Sequence, residues 1–357
     1  MNKIWKIRLI NFFISLYSYL FDDRKKPALD NHIDFSRIAI FSTTALGDLL
    51  FNTPAIKAIK QRYPKAKIIF VTSDKNSQLI NNSPWFDEVA IWDNKIKNAY
   101  ALIKKLRSFK PELTVILHSY IGYDVFCAKF SGTKYIIRDN FKRDTIAFNK
   151  WIDLYSSSTD VHVIQRKLNL IEKLGCDIND TSMEFPVKIM ESSVDKNKLR
   201  FGFQMGASQR MRCWPVESFA KLAVKLLSSY PQAEIVLTGA RQDSLLEKEL
   251  YSYLPKEFHS RVTSYIGKTN LLELIRLIKS LQVLVTGDTG PLHIAITAKT
   301  PTVSLYASAN PKHTGPYQDM DIHKIIQMSS YDKDNVSQPL SKISADRVFH
   351  EISDLIK

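Results

Sequence analysis

Two Rossmann-like, doubly wound α/β domains are predicted for this chain by three observations. From residue 36 onward, short apolar and β-branched runs alternate with helical stretches, the pattern of βαβ units around a parallel sheet. A polar stretch, Glu191-Ser-Ser-Val-Asp-Lys-Asn-Lys198, interrupts the alternation midway, and the same alternation resumes after it. The chain has 357 residues, more than one core normally holds, and its 45% of hydrophobic residues suffices for two.

In the first half the predicted strands are Arg37 to Phe41, Lys67 to Val71, Glu88 to Trp92 and Leu113 to Leu117. Helices are expected after Pro54, around Ser77 and from Lys97 to Ser108. Residues 118–160 are less patterned and read as loops, where His118, Tyr120 and Tyr123 either touch a sugar or serve core and turn roles. A helix from about Val161 to Leu174, ended by Gly175, leads to the linker. The second half continues with strands Leu199 to Met205, Glu234 to Thr238, Val262 to Tyr265, Leu281 to Val285 and Thr302 to Tyr306. Its helices are Pro215 to Ser229, Asp243 to Leu254, Leu271 to Ser280 and Pro291 to Ala298. The expected division is an extension over 1–30, domains over 31–190 and 191–335, and a C-terminal segment over 336–357. The amphipathic stretch Leu340 to Ile356 in that segment is expected to pack back on the first domain.

Composition narrows the function classes. Cys127, Cys176 and Cys213 are odd in number, far apart and without a CxxC or histidine cluster, so they read as buried thiols of a reducing cytoplasm with no metal site. The formal charge of +14 invites a polyanion. Nucleic acid is disfavoured, because no zinc finger, RRM core or lysine-rich arm is present and the basic residues are dispersed. An anionic membrane surface bearing a phosphorylated glycolipid fits the same charge.

The amino terminus suits that surface. Over residues 3–21, Arg8, Asn11, Ser15 and Ser18 fall at three- and four-residue steps, continued by Asp22, so one narrow stripe is polar and the rest apolar and aromatic. Lys6 and Arg8 leave too short an apolar run to span a bilayer, which needs about 20 residues. No small-residue cleavage site precedes Asp22-Asp-Arg-Lys-Lys26, which disfavours a signal peptide. Two readings stand side by side: an in-plane helix with Trp5, Phe12, Phe13 and Tyr17 at the interface, or a helix packed on its own domain.

Three strand-to-helix junctions carry the chemistry. Thr286-Gly-Asp-Thr-Gly-Pro-Leu-His follows an apolar strand, and Pro291 suits a first helical turn. The free amides of Thr289 and Gly290, at the positive end of a helix dipole, suit a phosphate or diphosphate; the alternative is a turn in which Asp288 or Thr289 caps its own helix. In Ala45-Leu-Gly-Asp-Leu-Leu-Phe-Asn-Thr-Pro54, Gly47 permits a tight turn and Asp48 stands at a strand's carboxyl end. That carboxylate either caps a helix or acts as a general base. In Gly206-Ala-Ser-Gln-Arg-Met-Arg-Cys-Trp-Pro215, small residues allow close backbone approach, while Ser208, Arg210 and Arg212 offer a hydroxyl and cations to phosphate oxygens. The bland reading of the arginines is solvated surface charge.

Taken in order and spacing over roughly residues 36 to 320, Ala-Leu-Gly-Asp with Pro54 beyond it, Gly-Ala-Ser…Arg-Cys-Trp-Pro and Gly-Asp-Thr-Gly-Pro-Leu-His resemble glycosyltransferase family 9, the ADP-heptose:lipopolysaccharide heptosyltransferases. The resemblance implies a GT-B fold, an α/β architecture whose two Rossmann-like domains face a central cleft. The first would bind the acceptor and the second the nucleotide sugar. It implies inverting, metal-independent transfer of heptose from ADP-heptose to the inner core of lipopolysaccharide or lipooligosaccharide, with no cofactor. The implied partners are an ADP-sugar donor, a lipid A-Kdo or core oligosaccharide acceptor and the cytoplasmic face of an anionic inner membrane.

Asp48 matches the family's catalytic base. Ser208, Arg212, Asp288, Thr289 and Gly290 match its donor-phosphate site, with Arg212 where the family usually has lysine, so a fork replaces a point charge. His293 lies one turn into the same helix. Asp243 resembles the acid that contacts the nucleoside ribose, and reads equally as a helix N-cap; Thr269 falls near the adenine-facing loop of relatives. The alternatives are a family member using another nucleotide sugar, a hexose or hexosamine, and a non-transferring protein such as a sugar-nucleotide epimerase or a binding scaffold.

Overall fold

The computed structural model describes residues 11–12, 14–20, 27–118, 122–139, 147–156, 160–190, 198–307, 309–328 and 338–357. Trp5, Phe13, Tyr120, the cluster at 22–26 and linker residues 191–197 lie outside them. Two compact units are formed, Met1–Ser182 and Met183–Lys357. The division precedes the expected 190/191 boundary because the Met183 amide donates to Gln318 Oε1 at 2.7 Å, tying the start of that stretch to the second unit.

The first unit follows helical residues 11–20 (α1, described apart from 13) with β1 (Arg37–Ser42), α2 (Leu46–Arg62), β2 (Lys67–Thr72), α3 (Ser77–Ile80), β3 (Glu88–Ile91), α4 (Ala99–Phe109) and β4 (Leu113–His118). Then come α5 (Tyr123–Ser131), β5 (Tyr135–Arg138), β6 (Leu154–Tyr155) and α6 (Val163–Glu172). Its sheet is parallel with order β3-β2-β1-β4-β5-β6. Strands buried on both faces need near-continuous apolar sequence, which Arg37-Ile-Ala-Ile-Phe and Lys67-Ile-Ile-Phe-Val supply. One face carries α2 against α6, and the other carries α4 and α5 over Phe41, Val71 and Ile116.

Two expectations are corrected here. The stretch read as loops contains α5, β5 and β6, which are too short to show a period. Helix α2 begins at Leu46, eight residues before Pro54, so Gly47 and Asp48 lie in its first turn and Pro54 in its interior. The proline cannot donate to Leu50 O, but the Thr53 hydroxyl does so at 2.7 Å and keeps that carbonyl satisfied.

The second unit comprises β7 (Arg200–Gln204), α7 (Val216–Ser229), β8 (Glu234–Thr238), α8 (Ser244–Tyr253), β9 (Val262–Ser264), α9 (Leu271–Lys279), β10 (Val283–Gly287) and α10 (Gly290–Thr297). It ends with β11 (Thr302–Tyr306), α11 (Pro311–Thr314), β12 (His323–Gln327) and α12 (Ala345–Leu355). The parallel order is β12-β11-β10-β7-β8-β9, which counted from β7 repeats the order of the first sheet. Helix α12 is part of the second unit. Its Ala345, Val348 and Ile352 belong to the second unit's core against α7, and the preceding turn is held by Trp214 Nε1 donating to Ile343 O at 3.0 Å. A single apolar stripe identifies an amphipathic helix without naming the surface that covers it.

Helix α1 packs on the first unit in an inverted way. Ile14 is buried and the Tyr17 ring sits against Phe130 and Trp151, while Ser15 and Ser18 of the polar stripe accept from Lys150 Nζ at 3.0 Å and Trp151 Nε1 at 2.8 Å. Leu16, Tyr19 and Leu20 are 41%, 77% and 60% exposed. Among the described residues no helix is long and apolar enough to cross a membrane.

Among the buried histidines, His118 in the first unit and His323 in the second are pulled down by burial from 6.5 to about 4. Between these values the unfolded chain binds protons that the native units do not, so stability rises with pH from about 4 to 6.5. Melting temperature is expected to fall between pH 7 and pH 5, and His323→Gln to reduce that slope; an unchanged slope would remove His323 as a contributor.

Candidate functional site

Where strand order reverses in an open parallel sheet, the connections leave to opposite faces and a crevice opens at the carboxyl ends of the strands. The reversals lie between β1 and β4 in the first unit and between β7 and β10 in the second. The predicted site residues cluster at these ends: Asp48 after β1, Ser208 and Arg212 after β7, and Asp288, Thr289 and Gly290 after β10.

At the first reversal Asp48 is the third residue of α2, and its Oδ2 accepts from the Ala45 N–H at 3.2 Å. It therefore caps its own helix while its side chain stays 22% exposed. His118 Nε2 lies 3.7 Å from the same oxygen. Behind them is a buried charged group that the sequence reading missed. Asp139, at the end of β5, accepts from Arg166 through two bonds of 2.7 and 2.8 Å, from Lys167 at 2.9 Å and from Ser156 Oγ at 2.6 Å. These partners, Lys167 foremost, overcome burial and hold the Asp139 carboxyl well below the usual range. In the sequence, the only trace is Arg166-Lys167 within the apolar face of α6. Tyr123, a sugar-contact candidate, packs instead on the apolar core of the α4/α5 face.

At the second reversal Arg212 and Asp288 meet. Arg212 Nη1 lies 3.2 Å from Asp288 Oδ2 and donates to Asp288 O at 3.3 Å. Its buried Nε has no hydrogen-bond partner among the described residues, so part of the guanidinium fork is unused. Thr289 is the N-cap of α10 but makes no side-chain cap bond, because its hydroxyl pairs with Thr286 Oγ1 at 2.9 Å. His293 Nε2 lies 3.9 Å from Asp288 Oδ1. Tyr306, also missed, is wholly buried; its hydroxyl has no hydrogen-bond partner among the described residues, and burial, with Asp288 nearby, raises its pKa. Nothing in an apolar strand run marks a terminal tyrosine as a site residue.

The remaining candidates are more peripheral. Ser208 is exposed in the loop after β7, and Thr269 is half-buried in the turn before the Asn270 cap of α9. Asp243 turns back on Ala240, accepting its N–H at 2.8 Å, so it caps the short turn that precedes α8. Glycines make this crowding possible: a Cβ at Gly206 would lie 2.3 Å from Asp243 Oδ1, and one at Gly287 2.2 Å from the Arg212 carbonyl oxygen. Among the described residues no three His, Cys, Asp or Glu side chains are grouped to hold a metal.

Gly287→Ala is expected to lower stability by roughly 1–3 kcal/mol, since backbone must move. Gly290→Ala, with nothing within 4 Å of its added methyl, should melt at or slightly above the parent temperature. Thermal melts of the two variants check the packing of this crevice.

A family model described as glycosyltransferase family 9 (heptosyltransferase) matches residues 132–343. The chain is 22% identical over 294 residues to the lipopolysaccharide core heptosyltransferase OpsX of Haemophilus influenzae, covering 80% of this chain and 82% of that protein. The glycosyl transferase family 9 structure from Veillonella parvula superposes with TM-score 0.78 at 20% identity, over 92% of this chain and 99% of that one. The structure of Escherichia coli ADP-heptose LPS heptosyltransferase II does so with TM-score 0.74 at 19% identity, over 90% and 98%. These likenesses establish the α/β fold with its two parallel sheets.

Proposed function

Because the chain belongs to glycosyltransferase family 9, we propose that it transfers a heptose from ADP-heptose to the inner core of lipopolysaccharide or lipooligosaccharide, with inversion and without a metal. Relatives named as heptosyltransferases support the sugar. The observation that carries the mechanism is the pairing of an uncapped helix N-terminus with an incompletely used arginine at the second reversal.

The acceptor hydroxyl gives its proton to Asp48 as its oxygen attacks the anomeric carbon from the face opposite the diphosphate. The carbon–oxygen bond to the diphosphate breaks, and the electron pair leaves with ADP. The transition state is oxocarbenium-like, by analogy with glycosidases. Charge developing on the diphosphate is met by the Thr289 and Gly290 amides, the Ser208 hydroxyl and the free edge of Arg212. Asp288 holds Arg212 in place, and a fork can keep that contact while turning its other nitrogens to phosphate. Asp243 and Thr269 receive the nucleoside. A diphosphate leaves without protonation, so one carboxylate suffices.

The enzyme works at the cytoplasmic face of the inner membrane. Helix α1 supports this reading, since its polar stripe is spent on Lys150 and Trp151 while Leu16, Tyr19 and Leu20 face outward. A formal charge of +14 adds attraction to anionic lipid. Leu16→Ser with Leu20→Ser is expected to release the protein from vesicles containing phosphatidylglycerol in a sedimentation assay; unchanged binding would reject α1 as the contact.

Calorimetric titration with ADP, UDP and GDP, with and without magnesium, tests the donor. Selective ADP binding independent of magnesium, and weakened by Arg212→Ala, is the expected result. A preference for UDP or GDP would overturn the heptose assignment and leave the fold intact. Asp48→Asn should reduce turnover by on the order of 10²–10⁴-fold with ADP binding retained, whereas near-normal transfer would remove Asp48 from the mechanism.

A further inference from the structure

The parallel pairing of β4 with β1 is irregular at one place. Phe41 pairs with Ile116, but Ser42 pairs with His118, so Leu117 is an extra residue in β4. Because strand side chains alternate, a one-residue slip exchanges the faces of everything beyond it. Ile116 and Phe41 both point into the apolar cluster under α4 and α5. Without the slip His118 would follow Ile116 to that side. With it, His118 sides with Ser42, whose hydroxyl accepts from Asn52 of α2 at 2.7 Å, and so faces α2 and α6.

On that face the imidazole meets Asp48 from α2, Arg166 and Lys167 from α6, and Asp139 from the end of β5. It is 6% exposed. We propose that His118 is the positioning residue for Asp48: its Nε2–H donates to Oδ2, which leaves Oδ1 to receive the acceptor proton. The inference rests on Asp48 being the base. The separation of 3.7 Å is just beyond a hydrogen bond, as catalytic contacts commonly are before substrate binds.

The surroundings also fix the protonation state. Burial and the charges of Lys167 and Arg166 work against protonation, Asp48 and Asp139 work for it, and the balance lies about 4. Above that pH the ring is neutral, so it offers one donor and adds no charge that would compete for the proton arriving at Asp48. The Asp139, Arg166 and Lys167 group acts through this effect, as a fixed field behind the histidine.

The test compares kcat and donor KM of the parent, His118→Ala, His118→Gln and Asp48→Asn with saturating acceptor. His118→Ala is expected to lose about tenfold in kcat with the donor KM unchanged. His118→Gln, whose amide can reach the same oxygen, should restore kcat. A His118→Ala enzyme with parental kcat would overturn the proposal, as would a His118→Gln enzyme equally impaired. Should the alanine variant melt below the assay temperature, His118→Asn, too short to reach Oδ2, replaces it with the same expectations. Near-normal transfer by Asp48→Asn would instead sink the base assignment, which separates the two failures.

Discussion

Reversal of strand order within a parallel sheet is the constraint on which the rest of this molecule depends. Right-handed crossovers cover both faces of each sheet, and at the reversal adjacent connections depart to opposite sides. The carboxyl ends of β1 and β4, and of β7 and β10, are therefore left with helix termini beside them and a crevice between. Because both sheets have the same order, the chain solves one packing problem twice. Asp48 and His118 flank the first crevice, and Arg212 and Asp288 flank the second.

Charge is handled differently at the two reversals, and exposure explains why. Asp139, Arg166 and Lys167 are almost completely buried, where an uncompensated charge would be very costly; each has at least one close partner, and the carboxylate accepts from three side chains. Removing any one should destabilise the first unit by about 3–5 kcal/mol, so this group is suited to holding a shape. Arg212 is 32% exposed and its contacts to Asp288 exceed 3 Å, which is a looser tether. A cation held that way can form new bonds to an incoming anion without first leaving a rigid network.

The sequence made the strands and the second crevice legible because their signals are local. Apolar runs of five or six residues mark buried parallel strands, and Gly287, Asp288, Thr289 and Pro291 announce a strand-to-helix turn within five positions. What it hid depends on partners far along the chain. The start of α2 was masked by Pro54, whose defect is repaired by a neighbouring hydroxyl. Strands β5 and β6 are too short for periodicity, and the surface that covers α12 is set by tertiary packing. The slip at Leu117 exists only in the pairing of two strands 76 positions apart, Ser42 with His118, and no local pattern encodes it.

The two helix N-termini at the reversals began as similar sequence readings and meet different fates, and one position decides between them. In α2 the third residue is Asp48, whose carboxylate returns to the Ala45 amide and supplies the negative charge that the helix dipole favours. That terminus is occupied by its own side chain, and what remains for an incoming group is the other carboxylate oxygen. In α10 the third residue is Leu292, fully buried, and the N-cap hydroxyl of Thr289 is engaged with Thr286. No side-chain cap from Thr289 reaches the first-turn amides of α10, and Gly290 leaves open space beside them. An anion therefore gains from the dipole at α10 and would be repelled by the carboxylate at α2, which supports the proposed division of roles, with the diphosphate bound at the second unit and the proton received at the first.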